Sequence, residues 1–231
     1  MKSSIYYTAI GNMRRITEAP DHVYPVIVIN QKEYPVDLQE MTVWTALCWH
    51  ILDFDQLQER YYTLSKDNCY TQRTLENCVE RLKTRGLIVS GSGSTDFDAL
   101  YNLLAGLYVV PLSRSPMLRL SAFAKLIAQG VPFNKASILL HKNPKPQNER
   151  EAQVMALSRQ TLLSTAELIC CVELGVKDVS TDEKLLNALY FDDHTTCDNL
   201  PYQMQNASSK VPITMAVANL YLCKQIIFER L

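Results

Sequence analysis

Leu75, Cys78, Val79 and Leu82 recur at i, i+3, i+4 and i+7, a spacing that lines four apolar side chains along one face of a helix. Thr71 can cap the start of this helix, and Gly86 supplies the left-handed residue that stops it. Leu87-Ile88-Val89 then reads as a short strand. A helix over 71–85 running directly into a strand constrains this chain more than any other stretch.

Two further helix starts precede it. Asp37 with Glu40 forms a capping-box pattern, with Val36 and Met41 placed as the hydrophobic staple. Asp53 with Gln56 repeats the device, with Leu52 and Leu57 as staple. Thr71 has Tyr70 and Leu75 in the same two places. These starts predict helices over 37–51, 53–64 and 71–85. The first, from Met41 to Leu52 with Trp44 and Trp49, is apolar nearly all round and is expected to be the buried central helix. Upstream, Ile5-Tyr6-Tyr7, Val23 to Ile29 and Tyr34-Pro35-Val36 carry strand signals, with Asn30 to Glu33 as a turn, which predicts a small sheet.

Three helices followed by Gly-Leu-Ile resemble the winged helix-turn-helix domains, and the resemblance covers residues 37–90. It implies that the 71–85 helix reads DNA in the major groove. It also implies a two-stranded wing, and here the sequence departs from the pattern. After Gly91-Ser-Gly-Ser-Thr95, residues Asp96 to Ala105 read as another helix. The wing is therefore expected to be short, uncharged or missing, and its strand to pair with the N-terminal sheet.

The formal net charge is −1, so no global field attracts nucleic acid or an anionic membrane, and any DNA binding must come from a local patch. Seven cysteines are an odd number, with no C-x-x-C pair. Cys48, Cys78 and Cys223 occupy apolar helical positions, which favours a reducing compartment. The N-terminus lacks the apolar core of a signal peptide, and the apolar run Leu103 to Leu112 is too short to span a bilayer. The expectation is a cytoplasmic protein.

The fold class expected is mainly α with a small β component (α+β): a winged-helix-like core plus an all-helical C-terminal unit. The division is a small β segment packing on the core over 1–36, a winged-helix-like domain over 37–112, a connecting helix and linker over 113–147, and a helical unit over 148–231. In that unit, 149–174 reads as one long helix ending at Gly175. Ser180 with Glu183 boxes a helix to Tyr190, 192–210 is a polar loop, and a last helix runs from Pro212 to the terminus. No internal repeat is visible.

On the 71–85 wheel, Arg73, Asn77 and Arg81 share one edge of the solvent face, with Thr84 beside them. Arg can donate twice to guanine, Asn can pair with adenine, and a second Arg can reach phosphate. Gln72 and Lys66 complete the candidate DNA-binding set. Glu76 and Glu80 on the adjoining edge repel phosphate. Asp192 to Asp198 gathers carboxylates with His194 and Cys197, but H-x-x-C alone does not define a metal site. The chain has no G-x-S-x-G elbow and no phosphate-binding glycine loop, and none of His22, His50, His141 and His194 lies near a recognisable nucleophile. No enzyme, cofactor or metal is expected.

The expectation is a DNA-binding transcriptional regulator. It would act as a homodimer on double-stranded DNA, with a protein partner or small effector on its C-terminal helices and no membrane contact. The alternative is a protein-interaction module on the same frame that does not bind DNA, and holds its partner with the C-terminal third or the 96–106 helix.

Overall fold

The computed structural model describes residues 3–19, 22–65, 73–112, 146–192 and 194–230. The sequence readings for Lys66, Thr71, Gln72, and the helix and most of the linker in 113–147 lie outside them. Strands β1 (Ser4–Ala9), β2 (Asn12–Ala19), β3 (His22–Ile29) and β4 (Lys32–Pro35) lead into helices α1 (Leu38–Leu47), α2 (Phe54–Leu64) and α3 (Leu75–Thr84). Next come β5 (Ile88–Gly93), α4 (Asp96–Leu104) and β6 (Tyr108–Pro111). The C-terminal part holds α5 (Glu149–Ser158), β7 (Leu163–Ser164), α6 (Thr165–Glu173), α7 (Asp182–Leu189), α8 (Leu200–Gln203), α9 (Lys210–Leu222) and β8 (Ile226–Glu229). The class is mixed α+β.

The N-terminal strands split. β2, β3 and β4 form one antiparallel sheet, turned at Asn30 and Gln31, which both take positive φ. β1 leaves that sheet and pairs antiparallel with β5. Both expected capping boxes form: Asp37 accepts from the Glu40 N–H at 2.8 Å, and Asp53 from the Gln56 N–H at 2.8 Å. α1 is shorter than expected. It ends at Leu47, and Trp49 beyond it takes a φ of 57°, a conformation uncommon for a bulky side chain. α3 starts at Leu75 with Thr74 as its cap, so Arg73 lies outside the helix rather than on its wheel.

No second wing strand follows β5. The chain turns through Ser94 into α4, capped by Thr95, which lies flat on β5. Two glycines permit that approach, since a Cβ on Gly91 would sit 2.2 Å from the Leu103 nitrogen and one on Gly93 2.3 Å from that of Ala99.

The C-terminal part differs from the all-helical unit expected. Residues 149–174 form two helices, broken at Leu163–Ser164, where β7 pairs with β6 and Ser164 opens α6 with a capping box to Glu167. Thr181, not Ser180, caps α7. The 192–210 stretch contains α8 and a 3-10 turn at Met204–Asn206. The last helix begins at Lys210 and gives way to β8, which pairs with β6.

These corrections reveal an internal repeat of topology. In the first unit, β1 lies between β5 and a bridge to Leu52, whose neighbour Asp53 caps α2. In the second, β6 lies between β8 and Leu163–Ser164, and Ser164 caps α6. α1 packs on α2 and α3, as α5 and α6 pack on α9. Both final helices end alike: Gly86 at φ 71° and Lys224 at φ 56° each close the helix, followed by backbone bonds from Leu87 to Leu82 and from Gln225 to Leu220.

The units share one core around Tyr221, which is 2% exposed and stacks on Phe228 at 4.4 Å. Its hydroxyl accepts from the Trp49 N–H at 2.9 Å and lies 3.0 Å from the Thr8 hydroxyl. Trp49 Nε1 donates to the Ile226 carbonyl at 3.3 Å, so the residue with the unusual backbone ties α1 to β8. Among the described residues, no helix is long and apolar enough to cross a membrane.

Candidate functional site

α3 holds its four apolar residues inward, with Leu75, Cys78, Val79 and Leu82 all buried. The opposite side is polar because it faces water, and Asn77, Arg81 and Thr84 are exposed there. The cationic groups of this edge, however, are already engaged. Arg73 forms an ion pair with Asp37. Burial pushes the Asp37 carboxyl up, but the Arg73 hydrogen bond, backbone donors and the guanidinium charge bring it below its usual range.

Glu40 is the centre of the arrangement. It is 2% exposed, and its carboxylate accepts from Arg81 Nε at 2.9 Å and Arg85 Nη1 at 2.9 Å while also reaching the Asp37 N–H. Arg85 donates to the Pro35 carbonyl as well. α3 is thus strapped to the junction of β4 and α1 by residues 41 and 45 positions apart in sequence. Removing both arginines would leave the buried carboxylate without an ion partner, which costs about 3–5 kcal/mol for a fully buried pair and less here because both guanidinium groups keep solvent access. Arg81, at 49% side-chain exposure, keeps part of its guanidinium in solvent. Thr84 turns its hydroxyl back to the Glu80 carbonyl, and Lys83 pairs with Glu80.

Of the sequence-selected set, the structure puts Asn77, Arg81 and Thr84 on the exposed side of α3 and Arg73 ahead of its cap, while Gln72 and Lys66 lie outside the described residues. Sequence reasoning missed Glu40 as an ion-pair partner. It was visible only as the third residue of a capping box.

The equivalent edge in the second unit has the opposite character. Aligning Gly86 with Lys224 superposes the buried set Leu75, Cys78, Val79 and Leu82 on Ile213, Ala216, Val217 and Leu220, all buried. The same alignment places Val211, Met215, Asn219 and Leu222 where α3 has Arg73, Asn77, Arg81 and Thr84. Val211, Met215 and Leu222 are 54%, 42% and 47% exposed, which leaves an apolar stripe on the surface of α9.

The 192–198 stretch is held by its own bonds, with Asp192 accepting from the Thr195 and His194 N–H groups. Nearby, Tyr190 donates to Glu167 at 2.6 Å and lies 3.4 Å from Cys197 Sγ. Among the described residues, no group of three or more His, Cys, Asp or Glu is assembled to hold a metal ion. No protein-family model matches the chain, and no curated protein or solved structure compared with it does either.

Proposed function

We propose that the chain is a non-catalytic protein-interaction module built on a duplicated winged-helix-like frame. The observation that carries this reading is Glu40, which is 2% exposed and bonded by both Arg81 and Arg85. A helix that reads DNA needs its arginines free to reach base edges and phosphates. Here those side chains serve to fix α3 to α1 and β4. Two features support the reading. α4 follows β5 directly in the chain, where a wing would continue as a second strand, and the matching edge of α9 is apolar, a surface suited to a protein partner rather than a phosphate backbone.

A second reading, sequence-specific DNA binding, is favoured by one observation: Asn77 and Arg81 are exposed side by side on α3. Site-specific photo-crosslinking in the producing cells separates the two. A photoreactive residue placed at Met215 is expected to yield a protein adduct, and one placed at Asn77 to yield no DNA adduct. A DNA adduct from position 77 without a protein adduct from position 215 would overturn the interaction reading.

A further inference from the structure

Two adjoining clefts meet at Arg230. One, about 250 Å³, is lined by Lys32, Tyr34 and Arg85 together with the Asn30 turn. The other, about 350 Å³, runs between Lys83 on α3, the start of β5 and the end of α4. Four cationic residues therefore border the two clefts; no carboxylate lines either, and Glu229 beside the first is turned to the Asn30 N–H at 2.9 Å. Arg85 is committed to Glu40 and Lys83 to Glu80. Lys32 rests over the Tyr34 ring at 5.6 Å, and Arg230 makes no ion pair among the described residues. The floor is aliphatic: Ile88, Leu103 and Leu107 are each under 5% exposed yet reach the groove surface.

The geometry points to a docking groove for an acidic peptide segment of a protein partner, carrying carboxylates beside a large apolar side chain. This occupant follows from the pairing of Lys32 and Arg230, which make no ion pair among the described residues, with an aliphatic floor, and the inference rests on the protein-interaction reading above. A nucleic acid fits less well. Its charge is continuous, whereas the cations here cluster at one junction, and an aliphatic floor gives bases little to stack on. Phosphate also lacks its usual support, because α3 turns its C-terminal end towards the groove and offers no helix N-terminus. Carboxylates on an extended segment can reach Lys32 and Arg230 separately while an apolar side chain covers the aliphatic floor of the second cleft.

The test is a random-peptide display selection against the full chain, followed by binding measurements on the enriched peptides. The expected result is enrichment of net-negative peptides with a large apolar residue. Their Kd should rise at least about tenfold in Arg230→Glu and in Lys32→Glu, and stay unchanged in Lys184→Ala on distant α7. Circular dichroism checks that each variant is folded; Arg230 is exposed, so its reversal buries no charge. If peptides are enriched but neither groove variant weakens them, the groove assignment fails while the interaction reading stands. If no peptide is enriched and the chain instead binds duplex DNA, both fail.

Discussion

α3 and α9 occupy the same place in two copies of one topology, and their exposed edges are opposite in kind. In α3 the edge is polar, and its arginines are spent on Asp37 and Glu40. In α9 the same positions carry Val211, Met215 and Leu222, left in solvent. The inward sets are interchangeable in character, so the frame common to both units rests on the buried stripe and the closing turn, while the exposed edge differs between them. The two starts also differ. α3 is capped by its own Thr74, whereas Ser209 makes no side-chain cap on α9. There Glu173 at the end of α6 accepts from the Ser209 N–H at 3.0 Å and from the Ser208 hydroxyl. What α3 does locally, α9 borrows from a neighbouring helix.

The sharpest way to break the comparison is Gly91→Ala. In the first unit a helix lies flat on β5, and the added Cβ would meet backbone atoms that have no freedom to turn aside. A loss of at least about 3 kcal/mol is expected by denaturant titration. Counting from Gly86 and Lys224, the equivalent position in the second unit is Glu229, which carries a full side chain. A loss under about 1 kcal/mol would show that α4 does not hold this position.

Next comes Glu40→Ala, which removes the carboxylate serving Arg81, Arg85 and the start of α1. Because both arginines keep some solvent access, a loss of about 2 kcal/mol is expected rather than the larger figure for a fully buried pair. Unchanged stability would mean that the strap contributes nothing.

Tyr221→Phe probes the seam between the units. It keeps the stacking on Phe228 but leaves the Trp49 N–H without its acceptor, so a loss of about 1–2 kcal/mol is expected. A neutral result would show that the hydroxyl is dispensable to the seam.

The smallest effect is acid sensitivity at the start of α9. Hydrogen bonds from Ser209 and Ser208 lower the Glu173 carboxyl from 4.5 to about 2. Its contribution is therefore full above pH 4.5 and is lost as pH falls from 4.5 towards 2. Glu173→Gln should flatten that part of the stability profile, and an identical profile in the variant would remove Glu173 from the account.

Much of the first unit was legible because its signals are local. The Asp37–Glu40 and Asp53–Gln56 boxes and the Leu75, Cys78, Val79, Leu82 stripe each lie within a turn or two of helix. The pairing of the post-Gly86 strand with the N-terminal strand followed from the missing wing. The second unit was harder, since its breaks carry weak markers. Leu163–Ser164 interrupts a helical pattern without Gly or Pro, although Ser164-x-x-Glu167 is itself a capping box. Lys224 takes the left-handed turn that glycine takes in the first unit, so the sequence carries no stop signal there and its pattern runs on as helix. The repeat stayed hidden because it preserves burial and hydrogen-bond geometry while changing the residues. The α3 edge was legible in chemistry but not in engagement: Arg81 and Arg85 find Glu40 only after α1 and α3 have packed.

The central claim is that the α3 arginines hold the fold and do not read DNA. Fluorescence anisotropy with duplex DNA from around the protein's own gene, at low and at high salt, tests it most directly. The account predicts no salt-sensitive binding by the wild-type chain. Salt-sensitive binding that Asn77→Ala weakens without unfolding the protein would contradict it.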